Sequence, residues 1–286
     1  MGPWLLTLPS ANMPPRELPR GSEAQEASLP KVSANGLSLH YEEYGRGFPL
    51  LLTHGYAANS HMWEPQVEAL SAKYRLILWD MRGHGETDSP EDPSQYSEAL
   101  IVADMRCLLE HLGVRQAVLG GHSMGGYMTL AFCLTHPDMV RGLVLFATGP
   151  GYRNPEGRGR WNQAAHARAH RLDAEGLEAL GSGAELRLSA PYHRSARGLA
   201  HAARGMLAQF DSRVIDGVPG IATPTLAIVG ERDDVFRVPT EYLASRIPGA
   251  RMVVLEGAGH AANVHRPEAF NGAVLEFLDG LGLPNV

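Results

Sequence analysis

One short segment, Gly121-His-Ser-Met-Gly125, constrains the fold of this chain more than any other. An apolar run typical of a strand, residues 116–119, precedes it, and residues 124–136 follow with the pattern of a helix that stops before Pro137. G-x-S-x-G between a strand and a helix is typical of a sharp turn that lifts a serine hydroxyl above a sheet. Glycine at the flanking positions avoids the collisions that a Cβ would make there. The segment therefore predicts Ser123 as a nucleophile on an α/β scaffold.

Strand-like and helical patterns alternate on both sides of this segment. The helical patterns lie at about 61–72 and 97–112, and around Glu241 and Glu268. Asn35-Gly36, between the first two strand-like runs, is a strong signal for a hairpin. Because buried strands alternate with helices, we expect an α/β fold with a mostly parallel eight-stranded sheet flanked by helices. The remaining strand-like runs are 31–33, 37–41, 48–53, 74–79, 140–147, 225–229 and 251–255.

Three regions of the chain differ in pattern. Residues 1–29 are rich in Pro, Ser and charge without periodicity, and we expect a poorly ordered leader. Residues 151–217 contain no strand-like run, and we expect a helical lid inserted in the core. The core is then assigned to residues 30–150 and 218–286. Two apolar stripes at helical spacing support the lid: Trp161, Ala165, Ala169 and Leu172, then Leu199, Ala203, Met206 and Phe210.

Composition narrows the class of protein. A chain of 286 residues that is 44% hydrophobic can bury one substantial core, and its net charge of −6 argues against a nucleic-acid partner. No apolar run approaches the ~20 residues that span a bilayer. The only two cysteines, Cys107 and Cys133, are interpreted as buried thiols. We expect a cytoplasmic enzyme with a small-molecule substrate.

A serine hydroxyl is a weak nucleophile and needs a base, which in turn needs an acid that orients it. The last strand-like run leads into His260, and the run before it leads into three acidic residues within one turn. Because the carboxyl ends of parallel strands share one edge of the sheet, these groups can meet Ser123. Spacing after the strand favours Asp233 as the acid, with Asp234 and then Glu231 as alternatives.

Acyl transfer also requires donors for the oxyanion that develops on the substrate. One is predicted to be the backbone N–H of Met124, directly after the nucleophile. The other is expected in the loop after the strand that ends at Thr53, and we assign it to the N–H of Tyr56. His54 and His84 lack a third ligand at suitable spacing, so we predict no metal and no cofactor.

Five motifs in collinear order, within residues 31 to about 282, resemble the α/β-hydrolase superfamily. The segment from His54 to Trp63 is further similar to the bacterial arylesterase, perhydrolase and enol-lactonase branch. The resemblance implies the triad Ser123, Asp233 and His260, and oxyanion donors at Tyr56 and Met124. It also implies that Asp80 is a carboxylate that holds a loop near Arg82. The motifs are His54-Gly55, Asp80-Met-Arg-Gly-His-Gly85, the elbow at Ser123, Gly230-Glu-Arg-Asp233 and Gly257-Ala-Gly-His260.

These residues together predict a serine hydrolase that cleaves a carboxylic ester or lactone. Epoxide hydrolases and dehalogenases of the family have aspartate where this chain has Ser123. Carbon–carbon bond hydrolases usually have Gly-Pro-Gly after His-Gly, where this chain has Tyr-Ala-Ala. This difference argues against carbon–carbon bond hydrolysis, which is kept as an alternative. A non-catalytic binding protein on this fold is a more remote alternative.

The predicted lid offers candidates for substrate binding. Tyr152, Trp161 and Phe210 are expected to face inward, as pocket lining or as packing residues. The arginines of the lid are interpreted as solvated surface. A substrate carboxylate on Arg153, Arg158 or Arg160 is the alternative.

Overall fold

A sheet of eight strands runs through the computed structural model, which describes residues 31–284. Its spatial order is β1-β2-β4-β3-β5-β6-β7-β8, and every pair from β4 to β8 is parallel. The α/β fold with a mostly parallel sheet is thus confirmed, while the predicted leader lies outside the described residues. The strands are β1 Lys31–Ala34, β2 Leu37–Tyr44, β3 Pro49–Thr53, β4 Arg75–Trp79, β5 Ala117–His122, β6 Val140–Phe146, β7 Thr225–Gly230 and β8 Arg251–Leu255.

The first two strands form the predicted hairpin. Ala34 pairs with Leu37 in antiparallel register, so Asn35 and Gly36 alone make the turn. Both have positive φ, 49° and 78°. This is the conformation that a two-residue turn requires and that Asn and Gly adopt most readily.

Helices cover both faces of the sheet. Helices α2 and α3 pack together on one face, while α1 and α10 pack on the other, where Trp63, Phe146 and Phe270 contact one another. None of the helices within 31–284 is long and apolar enough to cross a membrane. The helices of the core are α1 Glu64–Ser71, α2 Glu98–His111, α3 Met124–Thr135, α8 Arg237–Arg246, α9 Ala262–His265 and α10 Pro267–Asp279.

The chain between β6 and β7 forms a helical insert. Its longest helix begins where the Asn154 side chain accepts a hydrogen bond from the Glu156 N–H and Pro155 occupies the first turn. That helix ends at Gly176, whose φ is +67°. The insert comprises α4 Pro155–Glu175, α5 Ala184–Ser189, α6 Ala196–Ala202, a π-helical turn at Ala203–Leu207, and α7 Arg213–Gly217.

Most residues of the two predicted stripes of the insert are buried, but Trp161 is half-buried and Phe210 is exposed. Ala169 and Leu172 of α4 pack against Leu199 and Ala203 in a small apolar cluster. Phe210 is 71% exposed, so the prediction that it faces inward is wrong. The π-helical turn Ala203–Leu207 ends the helix before this position, and the 3.6-residue spacing used to place Phe210 no longer applies there.

A fully buried ion pair joins the loop after β4 to α2. Arg82 donates from Nε and Nη2 to the two carboxylate oxygens of Asp104, both at 2.8 Å, and neither side chain is exposed. Asn35 of the hairpin donates to the same carboxylate at 2.7 Å. One buried carboxylate therefore connects the hairpin, α2 and the loop that carries His84.

Removing one member of this pair is expected to destabilise the protein. Asp104→Leu leaves the Arg82 guanidinium buried without its counter-charge, and we expect a loss of about 3–5 kcal/mol. The double variant Arg82→Met, Asp104→Leu should cost clearly less. Urea unfolding of both proteins measures this. Glu110→Ala, which breaks the exposed Arg106 pair on the same helix, is the control and should change stability by about 0.5 kcal/mol or less. An equal effect of Asp104→Leu and the control would contradict the prediction.

Candidate active site

Ser123 lies at the turn between β5 and α3 in a strained backbone conformation. Its φ of 52° and ψ of −117° are unusual for a residue with a Cβ. Two hydrogen bonds hold the turn: the Ser123 N–H donates to the carbonyl of Phe146 at 2.9 Å, and Thr148 Oγ1 donates to the carbonyl of Ser123 at 2.6 Å. Neighbouring strand β6 and the residues after it thus impose the conformation.

The glycines of the elbow are required by close backbone contact. A Cβ on Gly121 would collide with the backbone of Gly125, and a Cβ on Gly125 would collide with the carbonyl oxygen of His54. The sequence-based explanation of G-x-S-x-G therefore applies to this turn.

His260 and Asp233 form a close pair beside the elbow. His260 Nδ1 lies 2.7 Å from Asp233 Oδ2, and Asp233 is only 4% exposed. The other oxygen of Asp233 accepts a hydrogen bond from the Phe236 N–H at 3.1 Å. Of the two alternatives, Asp234 is exposed and Glu231 accepts a hydrogen bond from the Gly257 N–H. The geometry favours Asp233 as the partner of His260.

Two rings confine the imidazole of His260. Phe236 stacks on it with centroids 4.8 Å apart, and His122 contacts it at 4.4 Å. His122 Nε2 also lies 3.1 Å from the carbonyl oxygen of His260. Burial lowers the pKa of His122 well below its usual value, so this ring is neutral and donates from Nε2. The hydrogen bonds within 31–284 do not include one from Ser123 Oγ to His260, although both residues line the same cavity. Such bonds often form only when substrate is bound.

The backbone N–H groups of Tyr56 and Met124 are available as donors. Neither has an acceptor among the hydrogen bonds of the described residues. Met124 is the first residue of α3, where the N–H has no partner within the helix. The Tyr56 side chain is anchored to the insert, because its hydroxyl donates to the carbonyl of Leu199 at 3.1 Å.

His54 holds the loop that carries Tyr56. Its Nε2 accepts from the Met81 N–H at 2.9 Å, so Nδ1 carries the proton and donates to the carbonyl of Gly55 at 2.7 Å. Burial lowers the pKa of His54 to about 3, which keeps this tautomer neutral. His54 and His84 are in ring contact, and residues 31–284 contain no group of three side chains suited to a metal ion.

The loop after β4 is held by Asp80. This buried carboxylate accepts from the N–H groups of Ser60 and Glu86 at 2.7 and 2.9 Å. The geometry agrees with the interpretation of Asp80 as a residue that fixes a loop. The buried partner of Arg82 is Asp104 rather than Asp80.

Two cavities meet at Ser123. A cavity of about 400 Å³, the large cavity, is lined by Tyr56, Ser123 and His260 and by residues of α4 and α5. A cavity of about 60 Å³, the small cavity, lies on the side of Met124. Of the predicted lid residues, Trp161 lines both cavities and Tyr152, 37% exposed, lines only the small one. Phe210 lines neither.

Sequence reasoning missed several residues at these cavities. Phe236 lines both and stacks on His260, and Arg168 and Arg171 line the large cavity. Arg168 follows Trp161 by seven residues, so helical spacing could have placed the two on one face of α4. Nothing in the sequence around Phe236 indicates its contact with His260.

Comparisons with known proteins identify the fold family of this chain. A family model described as alpha/beta hydrolase fold matches residues 49–173. The putative 2-succinyl-6-hydroxy-2,4-cyclohexadiene-1-carboxylate synthase of Bacillus subtilis is 30% identical to this chain. The match covers 80% of the length of this chain and 89% of the length of that protein. The enol-lactonase from Burkholderia xenovorans superposes with a TM-score of 0.72 at 29% identity, covering 87% of this chain and 100% of its own. A thermophilic esterase from Thermogutta terrifontis superposes with a TM-score of 0.76 at 29% identity, covering 88% of this chain and 98% of that protein.

Proposed function

The chain belongs to the α/β-hydrolase fold family, and we propose that it is a serine hydrolase that cleaves a carboxylic ester or lactone through an acyl-enzyme. The observation that carries the proposal is the His260–Asp233 pair, which lines the same cavity as Ser123. The backbone N–H groups of Tyr56 and Met124, which have no acceptor within residues 31–284, support the proposal as donors for the oxyanion. The names of the enol-lactonase and the esterase support this class of substrate.

In the proposed reaction, Ser123 Oγ attacks the acyl carbon while His260 Nε2 takes its proton. Asp233 holds the proton of Nδ1 and stabilises the imidazolium. The N–H groups of Tyr56 and Met124 donate to the oxyanion. His260 then protonates the leaving alcohol, and an acyl group remains on Ser123. Water activated by His260 releases the acid and restores the serine.

The helical insert serves as a lid in this proposal, because α4 and α5 line the large cavity above Ser123. We also propose a cytoplasmic location. The thiols of Cys107 and Cys133 are free, which suits a reducing compartment.

A second candidate is carbon–carbon bond cleavage or a related lyase reaction on the same residues. One relative is named a synthase rather than a hydrolase, which supports this alternative. Turnover of a vinylogous diketone without turnover of simple esters would favour it over the leading proposal.

A fluorophosphonate probe tests the nucleophile directly. Ser123 Oγ is expected to displace fluoride from phosphorus, and mass spectrometry should locate the adduct on the peptide that contains Ser123. Unfolded protein is the control and should remain unlabelled, because activation of the serine depends on the folded pair His260–Asp233. Absence of labelling in folded protein, or labelling elsewhere, would contradict the proposal and revive the non-catalytic alternative.

A further inference from the structure

The helical insert contains ten arginines, and most of them have acidic partners. Six form ion pairs, among them Arg153 with Asp216 and Arg171 with Glu175. Four have no carboxylate within ion-pair distance among the described residues. Of these four, only Arg168 lines the large cavity. The four are Arg158, Arg160, Arg168 and Arg187.

Arg168 occupies the side of α4 that faces the active site. Trp161, Ala165, Arg168 and Leu172 recur at helical spacing, and the first and last of them line the large cavity with Arg168. Within residues 31–284 its guanidinium makes one hydrogen bond, from Nη1 to the carbonyl of Ala164 in its own helix, at 3.2 Å. A guanidinium has five N–H donors. The cavity that contains Ser123 and His260 is thus bordered by a cation with unused donors.

Three other charged groups border the same cavity. Arg171 already has an acidic neighbour, because its Nη2 donates to Glu175 at 3.4 Å. Glu185 of α5 is the opposing charge, and its carboxylate lies close to Gly183 at the start of that helix. Asp233 is already paired with His260. Arg168 is therefore the cation that remains available to a ligand, and Glu185 is the group that would oppose an anion.

The two cavities differ in their relation to the proposed base. His260 lines the large cavity and not the small one. In the proposed reaction His260 protonates the leaving alcohol, so the leaving group belongs in the large cavity. The acyl group then lies toward the small cavity, whose volume of about 60 Å³ suits a short chain.

We propose that Arg168 binds a carboxylate on the alcohol portion of the substrate, so that the enzyme selects short-chain esters, or lactones, that carry an anionic group on that side. The inference rests on the proposed function. A guanidinium suits this role because its planar pair of N–H groups matches the two oxygens of a carboxylate. Arg168 is a specificity-determining residue and takes no part in proton transfer.

A matched pair of substrates measures the selectivity. 4-Acetoxybenzoate carries a carboxylate on its leaving group, and 4-methylphenyl acetate replaces that carboxylate with a methyl group. The readout is the ratio of kcat/KM for the anionic to the neutral ester. Arg168→Gln should lower this ratio by about 10- to 100-fold, mainly through KM for the anionic ester. Arg168→Lys should restore part of it.

Two further variants separate local binding from long-range charge effects. Arg153→Gln removes an equal charge from the insert at a residue that does not line the large cavity, and should leave the ratio unchanged. Glu185→Gln removes the opposing charge and should raise the ratio by about 2- to 5-fold at low salt. An unchanged ratio in Arg168→Gln, or an equal fall in Arg153→Gln, overturns the inference.

The orientation is tested with the charge on the other side of the ester. Mono-4-nitrophenyl glutarate and 4-nitrophenyl valerate differ by an acyl-side carboxylate. Their ratio should be insensitive to Arg168→Gln. Sensitivity of this pair alone would overturn the assignment of the large cavity to the leaving group.

A binding measurement separates this inference from the proposed function. Calorimetric titration of Ser123→Ala with 4-acetoxybenzoate should give a dissociation constant about 10- to 100-fold lower than that of Ser123→Ala, Arg168→Gln. Turnover by Ser123→Ala would defeat the proposed nucleophile and leave the role of Arg168 standing. Equal affinity of the two proteins would defeat the role of Arg168 and leave the nucleophile standing.

Discussion

Ser123→Ala is expected to lower kcat for ester hydrolysis by about 10⁶-fold, with little change in KM. Removing the nucleophile of a serine hydrolase costs about as much as removing the whole triad, because the three residues act as a unit. The residual rate should come from the N–H groups of Tyr56 and Met124 and from substrate binding. Steady-state hydrolysis of a 4-nitrophenyl ester by the two proteins, purified in the same way, measures the effect.

A matched serine variant controls for the substitution itself. Ser182→Ala changes an exposed serine of the insert and should retain the full rate. Retention of more than about one per cent of activity in Ser123→Ala would mean that another group attacks the substrate. Circular dichroism and urea unfolding would verify that the variant is folded.

Asp233→Asn is expected to lower kcat by about 10⁴-fold. An asparagine amide can occupy the place of the carboxylate but can present its N–H₂ group to His260, which stabilises the wrong tautomer of the ring. The amide also lacks the charge that stabilises the imidazolium. The loss should appear in kcat far more than in KM, because substrate does not depend on Asp233 for binding.

Asp234→Asn is the matched control for this variant. The same chemical change is made one residue away, on an exposed side chain, and should alter kcat by less than about twofold. Loss of activity in Asp234→Asn with retention in Asp233→Asn would transfer the role of the acid to the neighbouring residue. Two adjacent carboxylates thus allow the assignment to be tested at nearly constant net charge and size.

Most of the scaffold could be predicted because its signals are local. The hairpin at Asn35-Gly36 depends on two residues that adopt positive φ, and the structure contains that turn. The turn at Ser123 likewise depends on nearby glycines, which the sequence shows directly. The alternation of strands and helices was sufficient to predict the parallel sheet. Strands and helices can be told apart in a sequence because apolar residues recur with different periods in the two.

One prediction was wrong because the regular helical spacing of apolar residues ended before the predicted position. Phe210 was placed by helical spacing from Leu199, yet the π-helical turn Ala203–Leu207 breaks that spacing and Phe210 is exposed.

The ion pair of Arg82 and Asp104 was not predicted. Both residues lie within recognised segments, but no short-range rule relates a loop after β4 to the middle of α2.

The sequence alone determined the eight-stranded α/β scaffold, the nucleophile candidate and the order of acid and base along the chain, because each depends on residues within one strand, turn or helix. Only the tertiary structure decided which of the three carboxylates within one turn contacts His260 and that Phe236 and His122 confine its ring. It also decided that, of the ten arginines of the insert, Arg168 alone borders the large cavity without an acidic partner among the described residues. Those choices depend on contacts between segments tens to more than a hundred residues apart. Such contacts follow from how the elements pack and not from any local pattern.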